Sequence, residues 1–261
     1  MVTTSVRRHL RELRAALRVV VSVVATLLLV AVRAGRPRGG PATPVARARS
    51  LVVLVHGFGA GPGCFDAVVP ALGGPGVAVV AHRYSWTGRV GTLGEQLADE
   101  VTDLVRRSGA RSVTLVGHSL GGVIVAASLP RLDGVVTRVV TVAAPLGGTR
   151  WARLFPVGAV RDLRPGSPAL RTIADAPRRP ASWTAVASRA DVVVAVDSAT
   201  PRAARAVVVD GVGHCGLLRD ADVIARLAAL ARHGRSGRAR TRAVVLPDRP
   251  VAARPALALA A

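Results

Sequence analysis

The sequence predicts an α/β fold, a mostly parallel central sheet with helices on both faces. Short, valine-rich apolar runs recur at 50–57, 77–84, 111–117, 135–145, 182–188 and 204–214. They are apolar almost throughout instead of alternating, which is the pattern of strands buried on both faces. Between several of them lie stretches with apolar residues at helical spacing, so strands and helices alternate as parallel crossovers require. With 261 residues and 50% hydrophobic content, the chain suffices for one large domain with a buried core.

The elements follow in order. Arg7, Arg8, Arg11, Arg14 and Arg18 precede a run without charge from Val19 to Val32, which as helix spans roughly 21 Å. That is short for a bilayer span and close to the apolar core of a signal peptide. Val32-Arg33-Ala34 offers a small-residue cleavage site, whereas Arg33, Arg36 and Arg38 suit an uncleaved anchor. Residues 1–34 therefore read as a signal peptide or N-terminal membrane anchor, with membrane contact through this segment. The expected location is outside the cytoplasm, secreted or anchored. Residues 35–49, rich in Gly, Pro and Arg, read as a linker.

The folded domain is expected over 50–233. Gly57 stops the first strand, and 77–84 is the second. Leu93, Leu97, Val101, Leu104 and Val105 give 92–110 a helical stripe, with Gly109 as its stop. Strand 111–117 leads into a helix through "SLGGVIVAASLP", and 135–145 is the next strand. Residues 146–180, with prolines at 156, 165, 168, 177 and 180, break the alternation and read as a cap-like insertion. Strands at 182–188 and 204–214 and a helix through "GLLRDADVIARLAALARH" complete the domain, and the tail 234–261, which lacks a sustained period, reads as disordered.

The formal charge of +21 comes from 36 basic residues, all of them arginine. They are scattered along helices, loops and tails, and aromatic content is 3%, so neither a basic stripe nor stacking platforms support nucleic-acid binding. Two cysteines, Cys64 and Cys215, are too few for a disulfide framework. Both flank loops at one sheet edge, so a single bridge stays open, as does the oligomeric state.

"VTLVGHSLGGVIVAAS" places Ser119 between Gly117 and Gly121 where a buried strand gives way to a helix. A sharp turn there lifts a serine hydroxyl above the sheet edge, and glycines on either side let strand and helix close on each other. The hydroxyl becomes a nucleophile when a histidine takes its proton and a carboxylate fixes that histidine's tautomer. On such a sheet the partners follow in the order serine, acid, histidine. Only His214 and His233 lie downstream, and His233 sits in the Arg/Gly-rich "RHGRSGR", so His214 is the expected base. Asp191, just past strand 182–188, is preferred as the acid over Asp197, six residues on. For an oxyanion, the expected backbone donors are the N–H groups of Leu120 and of Phe58 in the glycine-rich "VHGFGAGPGCF". His56 precedes the serine and reads as holding this loop by hydrogen bonding.

These motifs together resemble the α/β-hydrolase superfamily, and within it the bacterial triacylglycerol lipase and PGAP-type lipase/esterase group. The resemblance covers about residues 50–232 and is carried by "HGFGAGPGCF", "GHSLGG", "AAPLGGTRWARL", "DLRPGSPAL", "SRADVVV" and "GVGHCGLL". Pro145, Gly148 and Thr149 match the group's Pro-x-x-Gly-Thr segment, and Pro165, Gly166 and Ser167 match its cap region. Leu146 stands where the group often has histidine.

The resemblance implies an α/β-hydrolase fold and a serine hydrolase for carboxylic esters of apolar acyl groups, small-molecule or lipid, working without metal or organic cofactor. The expected pocket is lined by loop 58–66 and the insertion, with Trp151, Leu154 and Phe155 as candidate apolar contacts that could equally be core. Acyl transfer on the same triad is an alternative within chemistry. A non-catalytic surface-binding homologue and an arginine-driven membrane factor are alternatives outside it.

Overall fold

The computed structural model describes residues 44–155, 157–176, 182–201, 203, 205–232, 244 and 245. The segment 1–34, most of the linker 35–49 and His233 lie outside the described residues. Among the described residues no helix is long and apolar enough to cross a membrane.

Seven parallel strands form one sheet: β1 (Ser50–Val55), β2 (Val77–His82), β3 (Ser112–His118), β4 (Arg138–Val142), β5 (Trp183–Ser188), β6 (Arg205–Val209) and β7 (Val244–Val245). Their spatial order is β2-β1-β3-β4-β5-β6-β7. The chain leaves β1 in one direction to make β2, then crosses back to add β3 and everything after it on the other side. The reversal opens a crevice at the carboxyl ends of β1 and β3, where open parallel sheets bind ligands.

Strand side chains point alternately to the two faces, and both faces are covered. Leu51, Val53 and Val55 pack with Leu97 and Val101 of helix α2 (Val90–Ser108) and with Ile124 of α3 (Leu120–Ser128). Val52 and Leu54 pack on the other face with Leu72 of α1 (Val69–Leu72) and Leu227 of α7 (Ala221–Arg232). This two-sided burial is why the strands read as continuous apolar runs.

Helix α2 ends as its sequence suggests: Gly109 adopts φ 64° and donates its N–H to the Val105 carbonyl. Its start is capped from afar. Asp162 is buried and accepts the Val90 N–H at 2.9 Å, while the Arg89 guanidinium holds the same carboxylate. Burial alone would raise the Asp162 carboxyl, but the Arg89 hydrogen bonds and the Val90 N–H hold it below the usual carboxylate range.

Several boundaries shift. The strand expected at 204–214 ends at Val209, since the chain turns through Gly211 at φ 71°. The strand expected at 135–145 is confined to 138–142. The closing helix splits into a 3₁₀ turn at Gly216–Leu218 and α7, whose first turn is capped by Asp220 Oδ1 accepting from Asp222 and Val223. Two short helices, α1 and α6 (Val196–Ala199), carry no apolar period to announce them.

The insertion holds a 3₁₀ turn (Arg150–Arg153), α4 (Gly158–Arg161) and α5 (Pro168–Asp175). Ser167 caps α5 by accepting from the Leu170 N–H at 3.2 Å, with Pro168 in the first helical position. Of the tail 234–261, which reads as disordered, Val244 and Val245 are described, and they pair with Val207 and Val208. A β-branched pair suits the unpaired ladder at that sheet edge.

Candidate active site

β3 runs to His118, and α3 begins at Leu120, leaving Ser119 alone at the turn with φ 53° and ψ −125°. Positive φ is costly for a residue with a side chain and persists only where its surroundings impose it. Here the packing of helix on strand imposes it. A Cβ on Gly121 would lie 2.1 Å from the Val55 carbonyl oxygen, and one on Gly117 would lie 2.5 Å from the Gly122 Cα. The Ser119 N–H donates to the Val142 carbonyl at 2.9 Å, which ties the turn to β4.

Three loops at the carboxyl edge bring the partners in. Ser119 Oγ lies 3.0 Å from His214 Nε2, and His214 Nδ1 lies 2.7 Å from Asp191 Oδ2. The other carboxylate oxygen, Oδ1, accepts the backbone N–H groups of Val193 at 2.8 Å and Val194 at 3.0 Å. Burial acts to raise the Asp191 carboxyl, but the His214 hydrogen bond and charge and these two N–H donors hold it below the usual carboxylate range. An ionised Asp191 accepts a hydrogen bond from the His214 Nδ1–H and keeps the proton on that nitrogen, so Nε2 presents its lone pair to the Ser119 hydroxyl.

Leu120 is the first residue of α3, so its N–H has no intrahelical carbonyl to reach and is left at the turn beside Ser119. The second expected donor, Phe58, follows Gly57. A Cβ on Gly57 would lie 3.0 Å from the Ser119 Cβ, so this loop passes in contact with the serine. The His56 carbonyl just before it accepts the Tyr84 hydroxyl at 2.6 Å, and the Tyr84 ring stacks on the His56 ring at 4.3 Å. His56 Nδ1 is 3.0 Å from the Gly57 carbonyl, so His56 does bond its own loop. Burial lowers the His56 pKa.

Ser119 and His214 open into a cavity of about 440 Å³ with mostly apolar walls, among them Phe58, Trp151, Phe155, Val160, Leu163 and Leu218. Trp151 and Phe155, expected at the pocket, line it, and Phe155 packs against Phe58 with ring centroids 5.9 Å apart. Leu154 does not. It lies just past the 3₁₀ turn and is 61% exposed, because adjacent side chains there point in different directions and Phe155, packed on Phe58, takes the inward one. Asp197 is exposed at the start of α6, where it accepts the Ser198 N–H at 2.7 Å.

Some neighbours went unread. His118 is buried and lies against His214: its Nε2 bonds the His214 carbonyl at 3.2 Å. Burial, then the His214 charge, pushes its pKa down to about 3, so it is a neutral donor. Its place inside "GHSLG" was the available signal. Ser188 at the end of β5 donates to the Val212 carbonyl at 2.6 Å, joining the acid's loop to the histidine's. Thr149 Oγ1 donates to the Val193 carbonyl at 2.5 Å and the Trp151 indole N–H to the Val192 carbonyl at 2.8 Å, joining the insertion to the acid's loop. Cys64 and Cys215 both line the cavity as free thiols. Burial, then Asp66 and Cys215, pushes Cys64 up to about 12.

A sequence profile described as the alpha/beta hydrolase family matches residues 52–227. A triacylglycerol lipase of Vibrio cholerae is 39% identical over 79 residues, which is 28% of this chain and 25% of that protein. The match thus spans about a quarter of that relative's length. Among solved structures, the mature form of the Bacillus licheniformis lipase BlEst2 is 18% identical with a TM-score of 0.57, over 70% of this chain and 91% of that one. The Legionella pneumophila phospholipase PlaB is 14% identical with a TM-score of 0.58, over 70% and 58%. At these identities the two structures speak for the fold. With the profile matched over most of the chain, across the strands and loops that carry Ser119, Asp191 and His214, this protein belongs to the alpha/beta hydrolase family.

Proposed function

We propose that the chain is a serine hydrolase that cleaves carboxylic esters through an acyl-enzyme. The observation that carries this reading is the hydrogen-bonded series Ser119–His214–Asp191 at the wall of an apolar cavity. Ser119 Oγ attacks the ester carbonyl carbon as its proton passes to His214 Nε2. The carbonyl oxygen becomes an oxyanion held by the N–H groups of Leu120 and Phe58. As the tetrahedral centre collapses, the Nε2 proton goes to the departing alcohol and the acyl group stays on Ser119. Water, deprotonated by the same Nε2, then releases the acid.

The apolar walls favour an aliphatic acyl group, and the lipase and phospholipase among the similar proteins support a lipid ester. The N-terminal segment 1–34 supports work outside the cytoplasm, secreted or anchored. The test is fluorophosphonate labelling and turnover of p-nitrophenyl esters of increasing chain length, beside Ser119→Ala. Both signals should vanish in the variant. A folded wild-type protein that neither labels nor turns over any ester would end the proposal, and products that depend on an added alcohol would move it to acyl transfer.

A further inference from the structure

Among the described residues, the exposed large apolar side chains are Leu154 at 61%, Val157 at 47% and Val192 at 70%. All three border the cavity that holds Ser119. Val192 is part of its wall, and its carbonyl receives the Trp151 indole N–H. Leu154 sits beside Phe155, a wall residue, and Val157 donates its N–H to the Phe155 carbonyl. Elsewhere the described surface is free of such side chains, so the apolar exposure is confined to one rim.

The rim is also cationic. Arg150 and Arg153 are exposed and lie three apart on the 3₁₀ turn, so they share one edge of it, as Trp151 and Leu154 share the next. Arg219, exposed, lines the cavity on the side of the histidine's loop. None of the three is in an ion pair among the described residues. Residues 146–161 hold no acid. Nearby, Asp162 is buried against Arg89 and Asp191 against His214, Asp220 caps α7, and the exposed carboxylates around the rim are Asp66, beside Cys64, and Asp197, whose neighbour Ser198 bonds the Gly148 carbonyl.

We propose that this rim docks on an anionic lipid surface, with Leu154, Val157 and Val192 entering the acyl region and Arg150 and Arg153 meeting lipid phosphates. Apolar side chains flanked by unpaired arginines are the composition that seats a protein in the interface of an anionic bilayer. A two-fold contact between copies of the chain would instead bring two arginine-bearing rims together. The inference deepens the ester-hydrolase reading by naming where the substrate is met, and it rests on that reading for its purpose.

The experiment is co-sedimentation of the full chain with vesicles of phosphatidylglycerol or of phosphatidylcholine, at low and raised salt. The proteins are the wild type, Leu154→Ser/Val157→Ser and Arg150→Gln/Arg153→Gln. The N-terminal segment is common to all three, so differences report the rim. The arginine pair should lose about tenfold in partition onto phosphatidylglycerol, with much of the salt dependence. The apolar pair should lose binding to both compositions. Equal binding by all three proteins overturns the proposal, as does binding that ignores lipid charge. A dimer in vesicle-free solution that Leu154→Ser/Val157→Ser dissolves overturns it too, in favour of a second copy. None of the four substituted residues lines the cavity, so fluorophosphonate labelling of Ser119 without vesicles reports that each variant is folded. Sedimentation needs no turnover, so failure of the wild type to label would strike the hydrolase reading alone.

Discussion

Asp191→Asn is the sharpest test of the triad, because it keeps the side chain's shape and removes only its charge. The carboxylate accepts three hydrogen bonds: Oδ1 from the Val193 and Val194 N–H groups, at 2.8 and 3.0 Å, and Oδ2 from His214 Nδ1 at 2.7 Å. An asparagine has one acceptor oxygen, and two backbone donors claim it. Its NH₂ group then faces His214 Nδ1, so the imidazole must carry its proton on Nε2. Ser119 Oγ, 3.0 Å away, loses its proton acceptor. The opposite amide orientation sets the NH₂ group against two backbone donors and leaves them unsatisfied. Geometry kept and tautomer reversed predict a loss of about 10⁴-fold in kcat, or about 5.5 kcal/mol of barrier. The assay is p-nitrophenyl ester turnover with fluorophosphonate labelling rates, and Asp197→Asn serves as the control from the exposed start of α6. Asp191→Asn keeping about a tenth or more of wild-type kcat, or Asp197→Asn falling as far, would refute the reasoning.

Glycine positions predict opposite signs for one substitution. Gly121→Ala drives a Cβ to 2.1 Å from the Val55 carbonyl oxygen and should cost about 3 kcal/mol, about 6–12 °C in Tm, whereas Gly91→Ala at the exposed start of α2 meets nothing within 4 Å and should be neutral or stabilising. Thermal melts check both. Asp162→Ala uncaps α2 and should cost about 1–2 kcal/mol. Because the Asp162 carboxyl is held below its usual range, its contribution is present above the unfolded-state pKa and is lost as pH falls through the folded one. Denaturant unfolding should therefore show the wild type's advantage over Asp162→Ala narrowing in acid. Tyr84→Phe removes the 2.6 Å bond to the His56 carbonyl, which should cost about 1 kcal/mol of stability, and should lower kcat more than it raises KM, since the bond holds the loop leading to Phe58. A parallel change in KM alone would sever that loop from the chemistry.

The strands were legible because they are buried on both faces, which writes burial directly into composition: Val52 and Val53 point opposite ways and both are covered. The candidate site was legible because a serine, an acid and a histidine in that order close strands of a parallel sheet, so Ser119, Asp191 and His214, which the structure brings into hydrogen-bond contact, could be singled out by position along the chain. What could not be read depends on distant partners. Asp162 caps a helix that begins 72 residues earlier, and nothing near Arg89 or Val90 announces it. Leu154 and Phe155 are adjacent and both apolar, yet one faces solvent and the other the cavity, a difference set by the packing of Phe155 on Phe58, a residue nearly a hundred positions earlier in the chain. α1 and α6 have four residues each, too few for a period to show.

The bonds from Thr149 and Trp151 to the carbonyls of Val193 and Val192 limit how freely the insertion can be exchanged. Asp191 is held by the N–H groups of Val193 and Val194, so the peptides that fix the acid are also the peptides on which the insertion rests. Ser198 adds a third stitch, from its hydroxyl to the Gly148 carbonyl at 2.6 Å. Replacing the insertion with a foreign one would therefore disturb the carboxylate that holds His214 unless residues 190–198 travelled with it. The two segments, some forty positions apart in the chain, are one hydrogen-bonded unit, and neither can be exchanged alone without breaking its bonds.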